Sequence, residues 1–278
     1  MKTDKHAAPP LTVYAFTSGK GGVGKTNIVA NLGIAMAEAG RRVLILDADL
    51  GLGNLDVILG IRPTHTLEDV LLGQSSLAEA LLEGPRGVKV LAADSGARDF
   101  TLLSTSEKIR LFALFRDLED EADTILIDTS SGISSNVRFF SSFAHRVVLI
   151  TTPEPTAITD AYATMKILSR TIGEQDFRLL VNIAESERQA LEVFQTLRRA
   201  AERFLRLKPG YLGHILKDPR LTRSVRLQKP VLVLHPDSKA GANLRELAGR
   251  LLAEPGSCGK QGQGGLRGAD ALPLAGTG

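Results

Sequence analysis

A glycine-rich segment near the amino terminus constrains the fold of this chain more than any other feature. Residues 19–26 read GKGGVGKT and fit the pattern G-x-x-x-x-G-K-[ST]. They follow the apolar run LTVYAFT at 11–17 and precede a stretch of helical period from residue 25. A strand, a glycine-rich loop and a helix in this order predict a site where backbone N–H groups and the positive end of the helix hold phosphate.

The residues of this loop indicate a magnesium-bound nucleoside triphosphate as the ligand. Lys25 is expected to reach the β- and γ-phosphates, and the Thr26 hydroxyl is expected to bind magnesium. The glycines let the backbone come close to phosphate oxygens. A glycine-rich turn that matches the pattern by chance is the alternative. The loop residues predicted to bind nucleotide are Gly19, Lys20, Gly21, Gly22, Val23, Gly24, Lys25 and Thr26.

Short aliphatic runs alternate with longer segments of helical period along the chain. Strands are predicted at 11–17, 42–47, 88–93, 124–129, 146–152, 177–183 and 211–216. Helices are predicted near 25–40, 66–72, 76–83, 105–120, 134–142, 155–171, 186–207, 218–228 and 238–253. Two of the helices begin with capping-box pairs, Thr66 with Asp69 and Ser104 with Glu107. The alternation predicts one α/β domain with a mainly parallel sheet covered by helices on both faces.

Composition predicts the domain limits and excludes several classes of protein. We expect a flexible segment at 1–10, the α/β domain at 11–253 and a disordered glycine-rich tail at 254–278. The net charge of +3 gives no argument for nucleic acid, and no apolar run approaches a membrane span, so we expect a cytosolic protein. Cys258 is the only cysteine, which excludes an internal disulfide or a cysteine-based metal site.

Three aspartates follow predicted strands and are candidates for the metal and the attacking water. Asp128 lies near the end of TILIDT, one residue before its last, and Asp47 and Asp49 follow RVLIL. Because parallel strands end at one edge of a sheet, these carboxylates should lie beside the glycine-rich loop. Asp128 is predicted to hold magnesium, and of the other two, one could hold the metal and one could orient water. A helix-capping role for Asp128 and solvated loop positions for Asp47 and Asp49 are the alternatives.

The additional lysine at position 20 gives K-G-G-V-G-K-T, which resembles the deviant Walker A motif of the MinD/ParA ATPases in the SIMIBI class of P-loop NTPases. The resemblance implies that Lys20 reaches the partner's phosphates across an ATP-bound homodimer. A loop lysine acting within its own subunit is the alternative.

The segments after the second and fourth predicted strands resemble the family's two switches. DADLGLGNLD at 47–56 is similar to switch I, which implies that Asp49 positions water and that Asp47 lies on the metal side. DTSSG at 128–132 is similar to switch II. Asn182, at the end of FRLLVN, corresponds to the family's adenine-contacting asparagine, with a turn asparagine as the alternative.

Within that family, 47–56 together with 151–168 resemble most the FlhG group, also called FleN, of flagellar number regulators, over residues 10–253. This implies an ATP-dependent dimerising switch that controls flagellar number or placement, with slow, partner-stimulated hydrolysis of Mg-ATP. It also implies an FlhF-type GTPase and flagellar switch or transcription proteins as partners, and a place in the cytoplasm, at the inner face of the membrane or at a pole. A MinD-like septum-site ATPase, a ParA-like partition ATPase and a scaffold with little turnover are the alternatives.

The chain departs from the FlhG pattern at several places. Ser130 and Ser131 stand where the FlhG pattern has Gly-Ala in switch II. The resemblance therefore does not carry over a backbone amide contact near the γ-phosphate, while Asp128 and Gly132 keep the pattern. The tail lacks the amphipathic helix by which MinD and many FlhG proteins bind membranes. The first ten residues lack the short segment through which some FlhG proteins stimulate FlhF. The resemblance therefore implies ATP binding more strongly than membrane binding or FlhF stimulation. Arg220, Arg223 and Arg226 are predicted to form a solvated basic stripe. DNA is not expected, although DNA, acidic lipid or an acidic protein are alternative partners for this stripe.

Overall fold

An eight-stranded sheet forms the centre of the protein in a computed structural model that describes residues 11–50, 53–93, 103–173 and 176–253. The predicted terminal segments, 1–10 and 254–278, lie outside the described residues, as do positions 51 and 52 of the switch I segment. The strands are β1 (Thr12–Ser18), β2 (Val43–Ala48), β3 (Leu81–Glu83), β4 (Lys89–Leu91), β5 (Thr124–Thr129), β6 (Arg146–Thr151), β7 (Asp176–Ala184) and β8 (Gly210–Leu216). Their order is β3-β4-β2-β5-β1-β6-β7-β8, and only the β3–β4 pair of these is antiparallel. The predicted fold class is confirmed.

Helices cover both faces of the sheet. They are α1 (Lys25–Glu38), α2 (Leu55–Leu59), α3 (Leu67–Leu72), α4 (Leu77–Ala80), α5 (Thr105–Glu121), α6 (Ser135–Ser142), α7 (Pro155–Thr171), α8 (Glu187–Leu205), α9 (Pro219–Arg226), α10 (Val231–Leu234) and α11 (Lys239–Ala253). A 3-10 turn lies at Pro85–Gly87. Both predicted capping boxes are present, and α4 begins with a third, formed by Ser76 and Glu79.

Alternate residues of the strands enter different parts of the core. In β1, Tyr14 and Phe16 contact the apolar cluster under α1 and α11, whereas Val13 and Ala15 face the cluster under α3, α5 and α6. A third cluster lies between β6, β7 and the helices α7 and α8. Strands buried on both faces explain why their sequences are apolar almost throughout, since each fully buried aliphatic side chain contributes about 1.5–3 kcal/mol.

The predicted helix at 76–83 is wrong in its second half. The helix ends at Ala80, and Leu81–Glu83 forms the edge strand β3. Leu81 pairs with Leu91 and Glu83 with Lys89, while the amide of Gly84 donates to the carbonyl of Val88 at 2.7 Å. Pairing with β4, which the pattern of residues 76–83 alone does not indicate, therefore overrides the helical period of this segment. The short helices α2 and α10 were not predicted, because four or five residues give too short a period to recognise.

The chain order places the glycine-rich loop at the centre of the sheet's carboxyl edge. β1 lies between β5 and β6, so the chain crosses the sheet on one side of β1 before β5 and on the other side after it. This reversal of strand order leaves a crevice at the ends of the strands, which is where open α/β sheets bind ligands.

Candidate nucleotide-binding site

The glycine-rich loop has the backbone geometry of a phosphate cradle. Gly22 and Gly24 have φ angles of 80° and 88°, a region that strongly favours glycine. A Cβ atom at Gly22 would meet nothing within 4 Å, so this part of the loop opens to solvent. At Gly19 a Cβ would lie 2.2 Å from the carbonyl carbon of Asp160 in α7. The loop is thus seated against α7 at one end and open at the other.

Lys25 and Asp128 form a buried ion pair directly beneath the loop. The Lys25 Nζ lies 2.5 Å from Asp128 Oδ1, and the two side chains are 7% and 1% exposed. Asp128 Oδ2 is also buried and accepts no hydrogen bond in the described part of the chain. A buried carboxylate oxygen without a donor is suited to a ligand or to a metal-bound water.

Asp47 lies beside Asp128 because β2 and β5 are paired in parallel with these two residues in register. The buried Asp47 accepts a hydrogen bond from the amide of Asp49 at 3.0 Å. Burial, and then the charge of Asp128, raise the pKa of Asp47 well above its ordinary value. Two carboxylates and one lysine therefore share a poorly solvated space at the end of the sheet.

Asp49 is half-buried and faces the same charges. Burial raises the pKa of Asp49; the charge of Lys25 opposes this rise, and the charge of Asp128 adds to it. The structure thus brings the three predicted aspartates and Lys25 together at one site. Their roles in metal binding and water positioning stay predictions.

The donor set fits a magnesium-bound nucleotide. The open cradle can hold phosphate, and the unpartnered Asp128 oxygen, Asp47 and the hydroxyl of Thr26 in the first turn of α1 are hard oxygen ligands of the kind that magnesium prefers. Lys25 lies against the same carboxylates and can exchange Asp128 for a phosphate oxygen.

Lys20 has a different environment from Lys25, although the two lysines belong to one loop. Its Nζ donates to Glu154 at 2.8 Å and to Thr156 at 3.3 Å, and its side chain is 43% exposed. The hydrogen bond and charge of Glu154 raise the pKa of Lys20. Sequence reasoning missed Glu154 and Thr156, since a contact across 134 residues leaves no local pattern.

Asn182 supports the loop from β7. Its Nδ2 donates to the carbonyl of Val23 at 2.7 Å, and it lies 2.6 Å from where a Cβ at Gly24 would be. The side chain is 3% exposed, and Oδ1 has no hydrogen-bond partner among the described residues. Asn182 therefore joins the predicted site, with one acceptor oxygen still free for a donor.

The switch II segment touches the loop as well. The amide of Gly132 donates to the carbonyl of Ser18 at 2.7 Å, and Ser131 Oγ lies 3.6 Å from where a Cβ at Gly21 would be. The serines that replace Gly-Ala are thus compatible with a segment held against the phosphate cradle.

The basic stripe is helical, as predicted. Arg220, Arg223 and Arg226 lie on α9, and all three are exposed. Over the residues that the structure describes, no helix combines the length and the hydropathy needed to cross a membrane.

A glycine-rich loop between a central parallel strand and a helix, with a buried lysine–aspartate pair below it, defines a P-loop nucleotide-binding protein. Comparison with known proteins makes the class more specific. Residues 14–231 match the CobQ/CobB/MinD/ParA nucleotide binding domain, and the chain belongs to this family. This confirms the MinD/ParA resemblance and makes the chain a member of a family of nucleotide-binding ATPases.

Several relatives align with nearly the whole domain. The antiactivator FleN of Pseudomonas aeruginosa is 42% identical over 246 residues, which cover 88% of each chain. The flagellum site-determining protein YlxH of Helicobacter pylori is 34% identical over 241 residues, covering 86% of this chain and 81% of that protein. The septum site-determining protein MinD of Pyrococcus horikoshii, solved with Mg-ADP, superposes with a TM-score of 0.71 at 27% identity, covering 89% and 99% of the two chains.

Proposed function

We propose that this ATPase is a Mg-ATP-dependent dimerising switch that regulates flagellar number or placement. The flagellar role is supported by the identity of 42% to FleN over 88% of both chains. The switch is supported by the position of Lys20, whose ammonium group is exposed at the rim of the phosphate cradle. A charge at that place can serve a second subunit, whereas the buried Lys25 can serve only its own.

The proposed hydrolysis depends on positions and charges that the chain already provides. When nucleotide binds, Lys25 would exchange Asp128 for phosphate oxygens, and Asp128, Asp47 and Thr26 would hold the magnesium. Magnesium, when bound, neutralises charge on the phosphate oxygens. Asp49 orients the attacking water, and its raised pKa suits a group that must accept a hydrogen bond from water in a poorly solvated site.

Dimer formation requires Lys20 to change partners. Lys20 leaves Glu154 and Thr156 and reaches the phosphates of the opposite subunit. The γ-phosphate then favours the dimer because it adds contacts that ADP cannot make. Loss of that phosphate returns Lys20 to Glu154 and opens the dimer.

The free oxygen of Asn182 favours ATP over GTP. Oδ1 can accept a hydrogen bond from the amino group of adenine, while the carbonyl of guanine at the same place would present a second acceptor. FlhF-type GTPases and flagellar switch or transcription proteins are the proposed partners. The proposed location is the cytoplasm, at the inner face of the membrane or at a pole.

Deleting the gene in its source organism and complementing the deletion with wild type or Lys25→Ala tests the flagellar role. Electron microscopy should show an altered number or placement of flagella, restored by wild type and not by Lys25→Ala at equal protein level. Unchanged flagella with misplaced septa or lost chromosomes would contradict the flagellar role and favour a MinD-like or ParA-like function.

A further inference from the structure

The apolar stripe of α8 continues beyond the core that it covers. Ala190, Val193, Phe194, Leu197 and Ala201 are buried at helical spacing against β7 and α7. Phe204 is the next residue in this series, three positions after Ala201, yet it is 65% exposed. A phenylalanine in line with a buried stripe is expected to be covered, so its exposure indicates a surface that lacks a partner.

Phe204 borders an open cavity of about 420 Å³ between the ends of α7 and α8. The cavity is lined by Ser169, Arg170, Gly173, Phe204, Leu205, Arg206 and Leu207. The guanidinium of Arg203 lies 5.2 Å from the centre of the Phe204 ring. The cavity lining therefore combines apolar side chains with two arginines, Arg170 and Arg206, and a third arginine, Arg203, lies against the Phe204 ring.

The arginines near Phe204 differ from other arginines of α8 in their ion pairs. Within the described ranges, no carboxylate lies within 4 Å of Arg170, Arg203 or Arg206. Other arginines of α8 differ, since Arg188 pairs with Glu192 and Arg198 with Glu202. Among the described residues, the guanidinium groups around Phe204 therefore have no counterion that an external anion would have to displace.

Arg206 occupies a backbone position that favours glycine. It ends α8 with a φ angle of 58°, in the left-handed region that commonly closes a helix and usually holds glycine or asparagine. The arginine at this place costs backbone strain and adds a cation to the cavity lining. Strained residues that persist are frequently functional.

We propose that the α8-end surface, formed by Arg170, Arg203, Phe204, Arg206 and Leu207, docks an acidic segment of a partner protein that carries an apolar or aromatic anchor side chain. The anchor enters the cavity against Phe204 and Leu207, and carboxylates flanking it pair with the three guanidinium groups. The cavity is concave, which fits an inserted side chain better than a flat lipid surface, and a single aromatic gives no series of stacking positions for nucleic acid.

The docking surface lies far from the nucleotide. α8 runs back from the carboxyl end of β7, so its last turn lies at the amino edge of the sheet, opposite the phosphate cradle. A dimer that closes over the cradle leaves this edge exposed. The partner should consequently bind with equal affinity in Mg-ADP and in Mg-ATP.

Selection of a phage-displayed random peptide library on the full-length protein tests the proposal. The selected peptides should be enriched in Asp and Glu around one aromatic or aliphatic residue, with equal affinity in both nucleotides when measured by fluorescence anisotropy. Phe204→Ser and Arg206→Gly should each weaken binding of the best labelled peptide by about tenfold or more. Arg188→Ser, which removes a cation from the opposite end of the same helix, should leave the affinity unchanged.

Arg206→Gly also separates docking from folding. Glycine relieves the left-handed backbone, so the variant should unfold at the same or a higher temperature than wild type while losing the peptide. Enrichment without acidic residues, equal affinity for wild type and Arg206→Gly, or binding in only one nucleotide state would overturn the proposal.

Discussion

Lys20 and Lys25 belong to one loop but differ in burial and partner. Lys25 is buried on Asp128 and compensates two carboxylates that the sheet register forces together. Lys20 forms an exposed ion pair with Glu154 and neutralises no buried charge. At the scale of single residues, Lys25 should therefore serve nucleotide binding and stability, whereas Lys20 should serve neither in the monomer.

Removing Lys25 should reduce both properties. In Lys25→Ala, Asp47 and Asp128 stay buried without a cation, so the nucleotide-free protein should lose about 3 kcal/mol of unfolding free energy, and calorimetry should detect no Mg-ATP binding. Adding Asp128→Asn should restore most of the stability but not the binding. Equal unfolding midpoints in urea for wild type and Lys25→Ala would contradict a compensating role for the ion pair.

Asp47 should make stability depend on pH. Its pKa is raised in the folded state, so the folded protein holds the proton more tightly than the unfolded chain, whose aspartates titrate near pH 4. The tighter proton binding adds to the free energy of unfolding below about pH 4, and this stabilisation is lost as the pH rises through the folded pKa. In Asp47→Asn, urea unfolding of the nucleotide-free protein at pH 7.5 should show a gain on the order of 1 kcal/mol, while Mg-ATP turnover falls. Equal free energies of unfolding for wild type and Asp47→Asn at pH 7.5 would argue against a buried Asp47 carboxylate that destabilises the fold.

At the scale of elements, the fit of strand, loop and helix depends on glycine at position 19. Gly19→Ala would place a methyl group against the backbone of Asp160, which cannot move without shifting α7, and should cost about 1–3 kcal/mol. Gly249→Ala is the matched control, because a Cβ at this site in α11 meets nothing within 4 Å. Thermal unfolding should show a gain of up to about 1 kcal/mol for Gly249→Ala, since alanine favours the helix. Equal stability of Gly19→Ala and wild type would mean that α7 does not fix the loop.

The elements that were predictable from the sequence are those whose signals are local. The glycine-rich loop, the apolar strands and the capping boxes of α3 and α5 each depend on residues within a few positions of one another. The edge strand β3 was not predictable in this way, because its conformation depends on pairing with β4. The contact of Lys20 with Glu154 and that of Asn182 with Val23 join distant segments, so only the folded sheet brings them together.

At the scale of the whole molecule, we propose different tasks for the two ends of the sheet. The carboxyl edge holds the phosphate cradle with its aspartates, and Lys20 is exposed there for the proposed contact with a second subunit. The α8-end surface lies at the amino edge, and a dimer that closes over the cradle would leave it exposed. On the proposed account, the molecule would change its oligomeric state at one edge while keeping a partner at the other.

The most direct test of the switch is the mass of the protein in solution by multi-angle light scattering. Asp49→Ala, which should hydrolyse ATP slowly because it lacks the proposed water-orienting carboxylate, should have twice the chain mass of 29.8 kDa in Mg-ATP and the single mass in Mg-ADP. Adding Lys20→Ala should return the protein to the single mass in Mg-ATP while calorimetry still shows nucleotide binding. A double variant that still dimerises, or an Asp49→Ala protein that remains monomeric in Mg-ATP, would contradict the account.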